Sequence, residues 1–579
     1  MMRIVLQYLK PFRLRMLLGL TIKIAGTFAD LGLPWVLAYI LDEVIPYKKV
    51  SYILIWGMIM LGLAIAAREL NIIANRMASL VARNSVEKIR HDAFEKILYL
   101  SGAQVDEFSA PSLISRMTSD TYNVHLVIGM MQRLGVRVPI ILIGGIVLTA
   151  TLDLILTLVL IATLPLLSLV IYLVSKKGIP LYLKMQQFTD KMVQTIRENI
   201  AGIRVIKALS KTEHEKQRFY GVNTQVSDSE MKAGSIMALS GPIMNLLLNL
   251  GLVVIVIIGA YRVNLGLMQP GRIVAFLTYF TMILNAMMMV NRLFVSYSKA
   301  SASAKRIGEL LLSKDELVQL EGIEVTQEKY QSSKIVFEQV SFSYGKGNQK
   351  HSVNNVNFDL KPGEKLGIIG STGSGKTTLI NLLMRFYDTS EGKIYVDGKD
   401  IRTFPLNELR SKFGAVFQSD MVFSDTLLEN ISFGRNLTLE EVTTAARQAC
   451  AEEFILEKED NYEFKAAIKG ANLSGGQKQR LLISRALAKQ PEILILDDSS
   501  SALDYKTDAK LREAIRTDFK DTTVIMIAQR VSSVMHMDQI LVLEEGEAIG
   551  YGTHEALLDT CPIYREIYES QMGGGRNEG

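Results

Sequence analysis

The chain has 579 residues, a net charge of +5, two cysteines and 49% apolar residues. That length calls for more than one domain. The positive mean hydropathy excludes an ordinary soluble protein, and the charged residues exclude a chain that is membrane throughout. So small a net charge gives no footing to nucleic-acid binding.

Residues 1–11 carry Arg3 and Lys10, but the apolar segment that follows is too long for a signal peptide and lacks a small-residue cleavage pattern, so it is expected to be retained. About 20 apolar residues cross a bilayer as a helix. Six stretches qualify: Leu14–Leu41, Tyr52–Asn71, Val124–Leu152, Leu154–Val174, Met237–Tyr261 and Ile273–Phe294. Between the second and third lie Arg76, Arg83, Lys88, Arg90, Lys96 and Arg116. Ten Lys or Arg residues, from Lys176 to Arg218, separate the fourth from the fifth, whereas the alternate connections are short. This asymmetry puts both basic loops and both termini in the cytoplasm. Helical apolar spacing through Val81–Leu100 and Phe188–Ala208 predicts that those loops project as helices.

Polar residues inside spans are costly and face protein or water. The candidates are Lys23, Asp30, Asn245, Asn249, Asn285 and Asn291, beside a thioether-rich last span with Met282, Met287, Met288 and Met289. They suit either a promiscuous path or helix packing. Arg133 and Arg137 start the third span and suit interface anchors as well.

The expected domains are a membrane domain over 1–300, a polar linker over 301–333, an α/β domain over 334–570 and a flexible tail over 571–579. In the α/β domain, strands alternate with helical runs, as parallel sheets require. Cys450 and Cys561 have no metal-like spacing and are expected to be reduced and buried.

Gly370-Ser371-Thr372-Gly373-Ser374-Gly375-Lys376-Thr377-Thr378 follows an apolar strand, Lys365–Ile369, and precedes a helical run, Leu379–Phe386. This is a phosphate loop in the required strand–loop–helix setting. Its glycines let backbone N–H groups curl around the β- and γ-phosphates of ATP, and the helix N-terminus adds positive potential. Lys376 supplies a point charge and Thr377 a hydroxyl for Mg²⁺. Ile493-Leu494-Ile495-Leu496 reads as a buried strand delivering Asp497 to the same ion.

Leu473-Ser474-Gly475-Gly476-Gln477-Lys478-Gln479-Arg480 resembles the signature of ATP-binding-cassette (ABC) proteins. In that family Ser474, Gly475, Gly476 and Gln477 would face the γ-phosphate of ATP held by another cassette. Other positions match in order. Tyr344 resembles the adenine-stacking aromatic, Gln418 the glutamine beside Mg²⁺, and Ser501-Ala502-Leu503-Asp504 the loop after the Mg²⁺ strand. Leu113–Asp120 and Glu198–Ala208 resemble the two intracellular-loop motifs, where short coupling helices transmit cassette closure. The resemblance spans nearly the whole chain. It implies a membrane α-helical bundle fused to an α/β P-loop cassette, in the layout of a half-size exporter of the bacterial heterodimeric multidrug type.

Three positions depart from the pattern. Asp498 stands where the family has a glutamate that orients the attacking water, Gln529 where it has a γ-phosphate-contacting histidine, and Ile468 where many exporters have a glutamate. An intact cradle beside two changes at the chemical step implies a chain that holds ATP well and cleaves it slowly. A second, non-identical half-transporter would then supply the glutamate and histidine, and hydrophobic or amphipathic small molecules, lipids or peptides would be the cargo. Two alternatives stay open: an ATP-binding regulatory or ATP-gated subunit without pumping, and a homodimeric lipid flippase.

Overall fold

The computed structural model describes residues 2–314, 316–320, 332–345, 351–419, 421–499 and 502–572, with the backbone alone at 2, 3, 240 and 291. The chain divides into two compact units, Met1–Leu98 with Pro111–Ser313, and Tyr99–Ala110 with Lys314–Gly579.

Among the described residues, six helices are long and apolar enough to cross a membrane: Ile4–Tyr47, Val50–Leu98, Ala110–Leu152, Leu154–Ala201, Thr212–Asn264 and Pro270–Leu311. Each contains one expected span. At 42 to 53 residues and 1.5 Å per residue, each is roughly twice as long as a ~30 Å hydrocarbon core requires. The surplus is the helical extension foreseen for the basic loops. On Val50–Leu98 the residues Ala67, Ala74, Ala78 and Ala82 are all buried. Small side chains at such spacing let helix backbones approach.

Lys23 and Asp30 of the first span are engaged. Lys23 Nζ donates to Oδ1 of Asn71 at 2.7 Å and of Asn75 at 3.1 Å. Asn71 Nδ2 donates to Asp30 at 3.2 Å, and Arg137 lies 3.1 Å from the same carboxylate. Lys23, Asp30 and Arg137 thus tie three helices together, which favours the packing reading. Asn245, Asn249 and Asn285 are exposed on the chain. Met282, Met288 and Met289 pack against a cluster that includes Phe276 and Phe280. The Asn291 side chain lies outside the described residues.

Leu113–Asp120 ends in a fastening between helices. Asp120, 1% exposed, accepts hydrogen bonds from Ser303 Oγ and Arg306 Nε, both at 2.8 Å. Arg116 lies 3.6 Å from Glu309. The last helix continues to Leu311, so residues 301–311, expected as linker, extend the final span. Ala304 and Ile307 there are buried with Val81, Val86 and Ile89. Of the rest of the expected linker, 315 and 321–331 lie outside the described residues. Gln571 and Met572, expected in the flexible tail, end the helix Pro562–Met572, and 573–579 lie outside the described residues.

The second unit begins with a segment that the sequence reading assigned to the membrane domain. Ser101 caps the short helix Gly102–Phe108 in a reciprocal capping box with Gln104. The segment folds with the cassette: Gly102 N donates to Phe386 O at 3.0 Å, and Tyr387 Oη donates to Asp106 at 2.7 Å. A Cβ at Gly102 would fall 2.6 Å from the Tyr387 ring. The short helix seated on the cassette therefore precedes the first intracellular-loop motif and lies outside it.

Ten strands follow among the described residues: β1 (Ile335–Phe342), β2 (Val353–Leu360), β3 (Lys365–Gly370), β4 (Glu391–Val396), β5 (Lys399–Asp400), β6 (Phe413–Val416), β7 (Ile493–Asp497), β8 (Thr523–Ile527), β9 (Gln539–Glu544) and β10 (Glu547–Gly552). They form a four-stranded sheet, β2-β1-β4-β5, and a six-stranded sheet, β10-β9-β3-β8-β7-β6. The first is antiparallel, whereas the second is parallel except for its β10 edge. β7 and β8 are buried at every position, as a sheet covered on both faces demands.

Asp120→Asn removes a buried charge partner from Arg306. Hydrogen bonds to charged groups are worth about 1.5–3 kcal/mol, and the half-exposed Arg306 side chain brings the expected loss to about 1–2 kcal/mol. Thermal unfolding of the detergent-purified chain should show a lower Tm; an unchanged Tm contradicts the fastening.

Candidate functional site

The parallel sheet sets the site. Ile527 of β8 pairs with Ile368 of β3 on one side and Asp497 of β7 on the other. β7 and β8 therefore end at one level, β3 runs two residues further to Gly370, and the segments leaving them share one edge. This edge, at the carboxyl ends of parallel strands, is where open α/β sheets bind ligands. A cavity of about 660 Å³ lies there, lined by Tyr344, Ser371–Thr378, Gln418, Asp497, Asp498 and Gln529.

The phosphate loop leaves β3 at Gly370 and enters the helix Lys376–Leu383. Gly375 has φ +99°, a region that L side chains avoid. A Cβ there would meet Ser352 O at 2.6 Å, and one at Gly370 would meet Leu543 O at 2.1 Å. These glycines are required by the path of the chain as well as by phosphate access. Lys376 Nζ donates to Gly370 O at 2.8 Å and Ser371 O at 2.7 Å, which holds the ammonium against the loop. Burial lowers the Lys376 pKa, against the pull of Asp497 and Asp498.

Thr377 Oγ donates to Asp497 Oδ2 at 3.0 Å. With Gln418 in the same wall, the donors are a hydroxyl, a carboxylate and an amide oxygen, the hard set that suits Mg²⁺. Burial pushes the Asp497 carboxyl up from its ordinary range; the Thr377 hydrogen bond opposes this and Asp498 adds to it. Burial raises Asp498 too, with Lys376 and Arg530 opposing. Two neighbouring carboxylates in a desolvated corner fit a divalent cation, whose charge reverses that penalty.

Asp498 has φ +49°, and its N–H donates to Ile527 O at 3.0 Å. Aspartate tolerates the left-handed region better than most residues because its short side chain bonds locally. Tyr344 is half-buried and edge-on to Phe342 and Tyr387, and its hydroxyl donates to Thr378 Oγ at 3.3 Å. His351, Ser352, Ile527 and Glu545 also line the cavity. The sequence reading missed them, and no local pattern marks them.

The signature residues lie elsewhere. No residue of Leu473–Gln477 belongs to the described wall of the cavity. Ser474 caps the helix Gly475–Leu487: its Oγ accepts from Gln477 N at 3.2 Å, and its N–H donates to Gln477 Oε1 at 3.1 Å. The Ser–x–x–Gln spacing is thus a capping box that fixes the helix N-terminus where two glycines leave the backbone bare. Asp504 caps the helix Tyr505–Asp518 through Thr507, at 2.9 Å from its backbone N and 2.7 Å from its hydroxyl. Ser501 lies outside the described residues. Ile468 is 68% exposed. Both cysteines are free thiols; Cys561 is buried, but Cys450 is only half-buried, contrary to expectation.

Asp497→Asn tests the electrostatics. A carboxyl raised by burial is penalised in its charged form at neutral pH, so removing the charge relieves the nucleotide-free protein. Its Tm should rise or hold without ligand. Mg-ATP at a hundredfold excess over Kd should stabilise wild type by about 2.7 kcal/mol and the variant far less. Equal stabilisation of both would remove Asp497 from the site.

Residues 16–287 match the family described as ABC transporter transmembrane region, and residues 353–501 match the one described as ABC transporter. The uncharacterized ABC transporter ATP-binding protein YfiB of Bacillus subtilis is 37% identical over 569 residues, covering 98% of each chain. The uncharacterized ABC transporter ATP-binding protein Rv1273c of Mycobacterium tuberculosis is 32% identical, covering 98% of this chain and 97% of its own. A solved bacterial Atm1-family ABC exporter with ATP bound shares the fold with a TM-score of 0.82 at 22% identity, over 98% of this chain and 99% of its own. The chain belongs to the ABC transporters: it is a multi-pass membrane half-transporter with six spans and one ATP-binding cassette.

Proposed function

We propose that this chain is one half of an ATP-driven exporter assembled from two non-identical half-transporters, moving hydrophobic or amphipathic small molecules, lipids or peptides out of the cell across its membrane. One observation carries the pairing. Asp498 and Gln529, the two departures from the family pattern, line the same cavity as an intact phosphate loop, while the intact signature takes no part in that cavity's described wall. A chain built this way holds ATP in its own cradle and lends Ser474–Gln477 to a cradle on its mate. The mate supplies the glutamate and histidine for hydrolysis there. The excess of Lys and Arg on the two long connections supports a cytoplasmic cassette and cytoplasmic termini.

In the chain's own site, Tyr344 would stack on adenine, the loop amides and Lys376 would hold the phosphates, and Thr377, Asp497 and Gln418 would hold Mg²⁺. The ion, when bound, neutralises charge on the β- and γ-phosphates. Asp498 is one methylene short of the water-orienting glutamate. A positioned general base contributes a factor of about 10²–10⁴, so its misplacement raises the barrier by roughly 3–5 kcal/mol. The nucleotide then stays long enough to act as a wedge between the cassettes. The short helix Ile203–Ala208 exposes Ile203 and Val205, as a helix with a coupling role would.

Two substitutions test the division of labour in the reconstituted pair. Asp498→Glu with Gln529→His should raise ATP turnover by roughly tenfold or more; no change would mean that those side chains do not limit the site. Ser474→Arg should stop most hydrolysis by the pair while ATP binding to this chain's own cradle stays at the wild-type level. Undiminished hydrolysis would contradict the role given to the signature.

A further inference from the structure

We infer that Gln571, on the last helix of the chain, is a positioning residue for the switch segment Gln529–Val531 and so sets how that segment meets the γ-phosphate. The inference rests on the reading of Gln529 as a γ-phosphate contact.

β8 ends at Ile527. The chain then runs through Ala528, Gln529 and Arg530 into the short helix Val531–Val534, whose N-cap, Arg530, makes no side-chain capping bond. A helix start leaves its first N–H groups without intrahelical partners, and this one borders the nucleotide cavity. Gln571 fills the gap from 40 residues along the chain. Its Oε1 accepts from Val531 N at 2.7 Å, and its Nε2 donates to Gln529 O at 2.9 Å. One planar carboxamide therefore spans the turn, satisfying a donor on one side of Arg530 and an acceptor on the other.

The helix that carries this clamp is packed against the switch helix. Gln571 lies on the helix Pro562–Met572. Tyr564 of that helix is fully buried, lies 2.8 Å from His554 Nδ1 through its hydroxyl, and packs in one cluster with Val531 and Val534 of the switch helix. Gln571 itself is exposed in the last described turn of that helix, so its two hydrogen bonds, on a helix anchored at Tyr564, are what tie it to the backbone of the switch. The Gln529 side chain, which lines the cavity, takes its starting point from that backbone. The chemistry selects an amide of this length. A carboxylate would still accept from Val531 but would face the Gln529 carbonyl with a second acceptor, and an asparagine would be one methylene short.

The test uses the full-length chain in lipid nanodiscs, with equilibrium binding of Mg-ATP and Mg-ADP and with amide hydrogen exchange at Val531. Gln571→Met keeps the side-chain length without hydrogen bonds. It should weaken ATP binding by roughly three- to tenfold, leave ADP binding unchanged and speed exchange at Val531. Gln529→Ala should lower the ATP-to-ADP affinity ratio by a similar factor, and the double variant should add little. Gln571→Glu should preserve slow exchange at Val531 while still lowering the ratio. If Gln529→Ala lowers the ratio and Gln571→Met does not, the clamp does not position the switch and the inference falls alone. If Gln529→Ala itself leaves the ratio unchanged, the γ-phosphate reading of Gln529 fails and takes the inference with it.

Discussion

The register between three parallel strands is the constraint on which the rest of the molecule depends. Ile527 pairs across to Ile368 and to Asp497, so the two aspartates and the switch leave the sheet at one level and the phosphate loop leaves the same edge two residues further along β3. A slip of one residue in any of these pairings would turn the strand's side chains to the opposite face and part Thr377 from Asp497. The register is secured by apolar residues buried on both faces of β7 and β8. The chemistry of the site thus rides on the least polar part of the cassette.

Local order made much of the molecule legible from sequence. The phosphate loop, the strand before Asp497 and the signature are each short, and their residues act where they stand. The six spans announce themselves by length and apolarity. What the sequence did not disclose depends on contacts far along the chain. Residues 99–110 fold with the cassette because Asp106 meets Tyr387 and Ser101 meets Glu316, pairings with no local signal. Residues 301–311 look polar enough for a linker, yet Ala304 and Ile307 keep a buried stripe at helical spacing. His351, Ser352 and Glu545 reach the cavity only because loops from different strands converge there, and Gln571 reaches the switch only because the last helix packs on it.

The asymmetry between cradle and signature gains a physical form from these contacts. Ser474 is first a helix cap, and that role holds the bare glycine backbone of the helix start in place. In the proposed assembly the same N-terminus would present N–H groups and positive potential to an anion held by the other chain. In the chain's own cavity, by contrast, the polar groups near the strand ends are held by neighbours: Lys376 by loop carbonyls, Thr377 by Asp497 and the Gln529 backbone by Gln571. Under the proposed division of labour, a site that is pre-held but short of a glutamate would retain nucleotide, and a second chain would put the exposed signature to use.

Retention can be read directly. The transporter is loaded with photoreactive ATP carrying γ-³²P, chased with unlabelled ATP through many turnovers, and crosslinked at intervals. The proposed division of labour predicts that γ-label stays on this chain long after the bulk phosphate release of the pair has replaced every nucleotide at the other site. Loss of the label from this chain at the rate of overall turnover would contradict it.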